Sequence, residues 1–379
     1  MVERLGHHAP AQPHRVSLQG VARAAMLWPW WALALLSSDK SFADNPLIGS
    51  RRLNAWGLHR WRVQKAHTLV TQRRERLLHW LDGVDAGTFA RNGFVVKRHL
   101  LPEDQFDALR RQVLGHRAPA REMLQGDTVT RHIAVNALLR QAVPALAPLL
   151  ENRAWNGLTR YVAGHDEAPM TYVQAVLSHT RVGAADPQTH LHADTFHPTM
   201  KAWFFLGDVG DDESPFCYVP GSHRLTPARL QWEHERSLKG AAQADRYSAR
   251  GSARVDKAEL AAMGLGLPVR LAVPANTLIV ADTFGFHKRA RARRPSTRLE
   301  IWGNDRRNPF LPASTDGLVN LLAGADRRID LYWAARDLAE RLGGRRNPWR
   351  GCGLQAPGEA PRLGGHADDV AHETRHGQL

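Results

Sequence analysis

Apolar residues in the middle of this chain come in short, dense runs rather than in long helical stripes. Thr171-Tyr172-Val173-Gln174-Ala175-Val176-Leu177 and Met200-Lys201-Ala202-Trp203-Phe204-Phe205-Leu206 are rich in β-branched and aromatic residues, and each predicts a strand. The stretch Leu271 to Val280 predicts strand, turn, strand, with Pro274-Ala275-Asn276 as the turn, followed by a loop ending at His287. Pro295 to Trp302 predicts a further strand with Ser296 and Arg298 on one face. Helical patterning lies at the two ends. In Arg51–Arg76 the apolar residues Leu53, Trp56, Val63 and Val70 recur near helical spacing, continuing to Leu77 and Leu81. Asp326 to Leu342 predicts a helix stopped by Gly343-Gly344.

Between the first two strands lies His190-Leu191-His192-Ala193-Asp194. Along a strand, residues i and i+2 share a face, so His192 and Asp194 can converge on one ion. One distant imidazole would complete the two-His, one-carboxylate set that holds ferrous iron on one face and leaves the other positions open. The same three letters recur at His366-Ala367-Asp368, but there they sit in a Gly- and Pro-rich tail with no apolar run to form a strand. His190 shares a strand face with His192 and is an alternative ligand. Gln174 and Tyr172, on the preceding strand, are candidates to face the site. His197 suits substrate contact or plain solvation, His223 a structural turn, and His179 a solvated loop. His372-Glu373-Thr374-Arg375-His376 fits the zinc-protease pattern, but its chemistry needs a buried helix, and the segment ends three residues before the C-terminus.

From Val84 to Pro312 the chain resembles the phytanoyl-CoA dioxygenase family of iron- and 2-oxoglutarate-dependent oxygenases. The resemblance rests on His192-Ala193-Asp194, on Pro220-Gly221-Ser222-His223 after a strand, on His287, and on Arg298 eleven residues beyond it. The opening Phe89-Ala90-Arg91-Asn92-Gly93-Phe94-Val95-Val96, followed by a helix through Leu109–Val113, matches as well. The resemblance implies a mainly β fold with flanking helices, whose core is a double-stranded β-helix of the jelly-roll or cupin kind. It implies Fe(2+) bound by His192, Asp194 and His287, with 2-oxoglutarate as cosubstrate and O2 as oxidant. Arg298 would hold the distal carboxylate of the cosubstrate, with Ser296 adding a hydroxyl. The implied activity is hydroxylation of a C–H bond in a small molecule. Halogenases of the superfamily leave the carboxylate position to a small residue, and Asp194 fills it here. The competing expectation is a catalytically silent jelly-roll that binds a metal or small anion. Two departures bear on cosubstrate contact. Arg289 stands two places after His287, where many members carry a small hydroxyl residue, and Glu213-Ser214-Pro215 stands where Asn-Gly-Pro is common.

Charge and composition add a partner class. The net charge is +14, and residues 1–80 hold 12 Lys and Arg against 4 Asp and Glu, so anionic small molecules and phospholipid surfaces become candidates. Only 7 of the 51 basic residues are Lys, an Arg bias that a GC-rich genome also produces, and no nucleic-acid motif accompanies it. The apolar run Ala24–Leu36 is broken by Pro29 and too short for a span of about 20 residues. Its three tryptophans suit a segment in the membrane interface, so peripheral membrane association through residues 24–81 is one expectation. A helical extension packed on the barrel is the other. Cys217 and Cys352 give no disulfide framework, which suits a cytoplasmic protein, with the inner membrane surface as a further station. Cys217 reads as a small core residue of a strand. The division expected is 1–83 as an N-terminal extension, 84–312 as the oxygenase core, and 313–379 as a helix followed by an unstructured tail.

Overall fold

The computed structural model describes residues 27–243, 245–311, 327–344 and 346–363. Eleven antiparallel strands build two sheets. They are β1 (Phe94–Lys97), β2 (Ala118–Gln125), β3 (Thr128–Ala134), β4 (Met170–Ser178), β5 (Met200–Phe205), β6 (Phe216–Tyr218), β7 (Val269–Leu271), β8 (Thr277–Asp282), β9 (His287–Arg289), β10 (Ser296–Asp305) and β11 (Arg350–Gln355). The large sheet runs β1-β8-β5-β10-β4-β3-β2-β11 and the small one β7-β6-β9. This is the expected mainly β, double-stranded β-helix architecture with helices outside.

Both faces of the large sheet are covered, which is why its strands read as unbroken apolar runs. On the outer face Val173, Met200, Ala202, Phe204, Leu278, Val280 and Ile301 pack against the helices Glu103–Gly115 and Arg153–Ala163, through Phe106, Leu109, Val113, Trp155, Leu158 and Val162. On the inner face Trp203, Phe205, Ile279 and Ala281 meet Phe216 and Tyr218 of the small sheet. The register places Arg298 opposite Val176, Glu300 opposite Gln174 and Trp302 opposite Tyr172, so the inner face also carries a polar row.

The segment ahead of residue 84 is packed onto this core. The helix Leu58–Arg76 has Val63 and Ala66 in a cluster with Leu230 and with Phe196, two residues past Asp194. The buried Arg62 guanidinium donates to the carbonyls of Leu35 (2.9 Å), Ser37 (3.0 Å) and Asp39 (2.6 Å) and lies over the Phe196 ring. Farther along the helix, Arg74 pairs with the fully buried Asp282 at 2.8 Å. The helix is polar by composition because two of its inward positions are arginines that spend their charge on carbonyls and a carboxylate. The helix expected from the spacing of Val63 and Val70 forms, and both residues are buried.

The C-terminal helix forms over Arg328–Arg341, with Gly343 at φ 80°. Residues 346–363, expected to be unstructured, instead supply β11, which pairs with β2. Their anchor is Arg131, buried with Glu122 at 2.6 Å and donating to the carbonyls of Ala356, Pro357, Glu359 and Ala360. Glu122 in turn accepts the backbone N–H groups of Arg362 and Leu363. The tail is ordered by main-chain hydrogen bonds to a buried ion pair, which leave no apolar trace in the sequence. The motifs His366-Ala367-Asp368 and His372–His376 lie outside the described residues.

Candidate metal centre

His192, Asp194 and His287 come together between the two sheets. Their donor atoms lie within 4.8 Å of one another, the one such group of His, Cys, Asp and Glu found among the described residues. Asp194 Oδ1 is 3.6 Å from His192 Nε2 and 3.7 Å from His287 Nε2. The route differs from the strand geometry expected of the motif. His192 forms only a single bridge with His287, exchanging backbone hydrogen bonds of 3.0 and 2.9 Å, and Asp194 N–H donates to the Thr283 carbonyl at 3.0 Å. The motif thus docks on the free edge of β9 and on the loop before it, because the chain is crossing from one sheet to the other.

Each imidazole is oriented by its far nitrogen. His192 Nδ1 donates to the His190 carbonyl at 2.7 Å and His287 Nδ1 to the Gly285 carbonyl at 2.9 Å. This fixes the tautomer that leaves both Nε2 lone pairs free, and both Nε2 atoms are buried without a hydrogen-bond partner. Burial pushes His287 down to about 3 and lowers His192 as well, so both rings are neutral, as metal ligation requires. Burial opposes ionisation of Asp194, but Lys201, the two imidazoles and Arg306 together outweigh it and hold the carboxyl well below the usual range. Two buried neutral imidazoles and a carboxylate, with orphaned donors turned toward one another, fit a divalent metal of the iron class.

Lys201, on β5, was not foreseen. Its ammonium pairs with Asp194 Oδ2 at 2.6 Å, while Oδ1 is the oxygen nearest the imidazoles. The pairing holds the carboxylate so that a single oxygen is presented to the metal. Replacing Lys201 by Met is expected to weaken Fe(II) binding about 10–100-fold, the usual worth of a group that orients a metal ligand. Competition with a chromophoric chelator measures this, and Arg at the position should restore part of it.

Gly285 has its own constraint. A Cβ there would lie 1.8 Å from the Tyr218 hydroxyl, which donates to the Asp282 carbonyl at 2.7 Å. The turn before His287 therefore closes only with glycine.

Arg298 is buried on the inner face of β10. Its Nε and Nη2 donate to Glu300 at 2.9 and 3.3 Å, and Nη1 donates to the Ser214 carbonyl. A guanidinium has five N–H donors, so two remain for a carboxylate. The Ser296 hydroxyl is buried without a partner. These two residues therefore fit the distal carboxylate of a keto acid. Ser214, at the position where glycine is common in the family, has φ 63°, the left-handed region that glycine enters freely. Arg289 is taken up by Asp186 at 2.9 Å.

The remaining candidates separate. His190 is exposed, and only its carbonyl serves the site. Gln174 donates to Glu300 and its amide oxygen accepts from His132 Nε2 at 2.6 Å, and Tyr172 stacks on His132, so both belong to the polar row beside Arg298. His197 is buried. His223 is buried against Phe89 in its turn. His179 is not a solvated loop residue: it contacts the Ala292 carbonyl at 2.9 Å and Asp127 at 3.2 Å. Cys217 is buried in β6.

Buried neutral histidines also set an acid limit. Burial pushes His132 down to about 4, and His197 and His223 down to about 3, from 6.5. Unfolding lets each take up a proton, so stability is full above pH 6.5 and is lost as pH falls below it. The expected slope is roughly 1 kcal/mol per pH unit for each ring. Thermal melting should drop steeply between pH 7 and 5, and a flat profile would contradict the burial.

A jelly-roll with a buried His-x-Asp…His cluster has the donor set of a mononuclear non-haem metal site. Residues 89–261 match the family model for phytanoyl-CoA dioxygenase (PhyH). The match spans rather less than half of the chain and marks a similarity of this segment to that family. No protein of curated function matches the chain. Among solved structures, the α-ketoglutarate-dependent epimerase SnoN of nogalamycin biosynthesis is 19% identical over 58% of this chain and 81% of its own, with a TM-score of 0.39. The carbocyclase SnoK of the same biosynthesis is 20% identical over 59% and 83%, with a TM-score of 0.38. HygX from Streptomyces hygroscopicus, solved with nickel, 2-oxoglutarate and hygromycin B, is 16% identical over 59% and 87%, with a TM-score of 0.37.

Proposed function

We propose that this chain is an oxygenase that hydroxylates a C–H bond of a small molecule, with Fe(2+) held by His192, Asp194 and His287. The observation that carries the reading is the pair of buried, partnerless Nε2 atoms set beside Asp194 Oδ1. When bound, ferrous iron and 2-oxoglutarate supply the oxidant from O2, with succinate and CO2 released. The chain's own part is ligation, orientation and exclusion of water. His192 and His287 offer neutral lone pairs fixed by carbonyls, and Asp194 offers one oxygen while Lys201 holds the other. Arg298 and Ser296 hold the distal carboxylate of the keto acid. Phe216 and Tyr218 lie against the His287 ring, with ring centroids 5.8 and 6.5 Å away, and give that side of the site an apolar wall. We take residues 84–312 as the oxygenase core, with the preceding segment as part of its wall. An intact set of donors in the correct tautomer favours this enzyme over a silent binding module. The test is succinate formation from 2-oxoglutarate by anaerobically loaded protein on admission of O2. Iron-dependent succinate supports the reading, and its absence in a folded, iron-binding preparation would overturn it.

The same reading includes association with an anionic membrane surface through residues 24–81. Trp28, Trp30, Leu33 and Leu36 are each more than half exposed, Trp56 is 84% exposed, and Arg51 and Arg52 are exposed nearby in sequence. No helix among the described residues is long and apolar enough to cross a membrane. The full chain is expected to sediment with phosphatidylglycerol-containing vesicles and to be released by salt. Trp28→Ala with Trp30→Ala should reduce the bound fraction, and equal recovery of wild type and variant would reject the surface.

A further inference from the structure

Three cationic side chains meet at Asp194 from separate parts of the chain. Lys40, from the N-terminal segment, and Arg306, just past β10, both donate to the Asp194 backbone carbonyl, Arg306 at 2.8 Å. Lys201 holds the side chain of the same residue. Because Lys40 and Arg306 share one oxygen, their charged groups lie within two hydrogen-bond lengths of each other. Arg254 adds a fourth positive charge nearby, its guanidinium bound to the Pro187 carbonyl and Ser252.

Asp194 is the carboxylate at the centre of the cluster, and its charge is already shared between Lys201 and the metal centre. Among the described residues, neither Lys40 nor Arg306 has a carboxylate within ion-pair distance. A backbone carbonyl is satisfied by neutral donors, so an amine and a guanidinium converging on one oxygen exceed what holding the loop requires. Like charges this close repel, and the repulsion is relieved by an anion between them. The cluster is also reachable. Arg306 is exposed, and Lys40, Lys201 and Asp194 are partly so.

We propose that Lys40 and Arg306, with Lys201 behind them, bind an anionic group of the substrate, a carboxylate or a phosphate, and hold the rest of the molecule against the metal centre. This rests on the oxygenase reading for the identity of the neighbouring centre, but the anion site itself is defined by the cations. Its place beside Asp194 makes it distinct from the Arg298 site, which lies along β10 among Glu300, Ser214 and Ser296. The group bound sets the distance from the anion to the oxidised carbon, so these residues determine specificity rather than chemistry.

The experiment is calorimetric titration of the full chain, loaded anaerobically with Fe(II) and saturated with 2-oxoglutarate, with inorganic phosphate in one arm and propionate in the other. Prior saturation keeps the probes from the Arg298 site, and the heat of 2-oxoglutarate binding reports separately on the oxygenase reading. Saturable binding of either probe is expected, and which one binds identifies the group. Lys40→Met with Arg306→Gln should weaken it about tenfold or more, since two charge-assisted hydrogen bonds are lost. Arg306→Gln alone, at an exposed position, should give an intermediate loss in a chain whose 2-oxoglutarate binding is unchanged. No binding of either probe to the wild type would overturn the proposal, as would equal binding by wild type and both variants. If 2-oxoglutarate fails to bind while phosphate binds and the variants weaken it, the anion site stands and the oxygenase reading falls.

Discussion

Replacing Asp194 by Ala is expected to weaken Fe(II) binding by at least about a hundredfold, because groups that merely orient ligands are already worth 10–100-fold. Two neutral imidazoles would remain, and the one anionic donor at the centre would be gone. The loss also strands Lys201, whose ammonium has its 2.6 Å partner in Asp194. Like-charge crowding by Lys40 and Arg306 then acts against any cation placed between the histidines. Succinate production should fall in step with metal occupancy, and excess iron should not restore it. Asp194→Asn separates charge from shape: it keeps an oxygen in place but removes the anion, and should sit between wild type and Ala in affinity. Chelator competition for affinity and circular dichroism for folding check both variants. Wild-type affinity in the Ala variant would remove Asp194 from the centre.

Arg298→Leu is expected to have two separable effects. Glu300 is fully buried, and its remaining partner is the Gln174 amide. An unpaired carboxylate there should cost about 3–5 kcal/mol of stability. Binding of 2-oxoglutarate should also fall, by about a hundredfold, as a two-point charged contact disappears. The double variant Arg298→Leu with Glu300→Leu resolves the two. It should regain most of the stability, since apolar replacement of a buried pair is often neutral, yet remain unable to bind the cosubstrate. Arg298→Lys should retain the charge without the planar fork and recover binding only in part. Denaturant melts and calorimetry read the two effects independently. Normal cosubstrate affinity in the double variant would move the keto acid away from Arg298.

Strand runs were legible because both faces of the large sheet are buried, so β4, β5 and β8 appear as continuous apolar segments. His192, Asp194 and His287 could be proposed as a set because their residue types and order are restrictive, and they do converge, although not by the strand geometry expected for them. A His-x-Asp on a regular strand would have both side chains on one face by alternation. Here a single bridge to His287 and a bond to Thr283 do that work, and no local pattern encodes either. What stayed hidden was mostly charge pairing at long sequence separation. Lys201 sits in an apolar strand where one lysine reads as an interruption. Glu300, two residues beyond Arg298 and so on the same face of the strand, gives no sign in the sequence that it is buried as the partner of Arg298. Arg62 and Arg74 make the N-terminal helix look like a charged surface, yet both are committed to buried carbonyls and a buried carboxylate. Arg131 orders a tail that composition describes as loose. Such pairs are set by tertiary contact, so neither propensity nor periodicity announces them.

The proposed function requires the buried donors and Arg298 to hold ferrous iron and a keto acid together. It is tested most directly by the visible absorption of the full chain on adding Fe(II) and then 2-oxoglutarate without oxygen, followed by succinate measurement when oxygen is admitted. A metal-to-ligand absorption band is expected that needs both additions, is absent in Asp194→Ala, and decays with succinate release. A chain that binds iron but shows neither band nor succinate would contradict it.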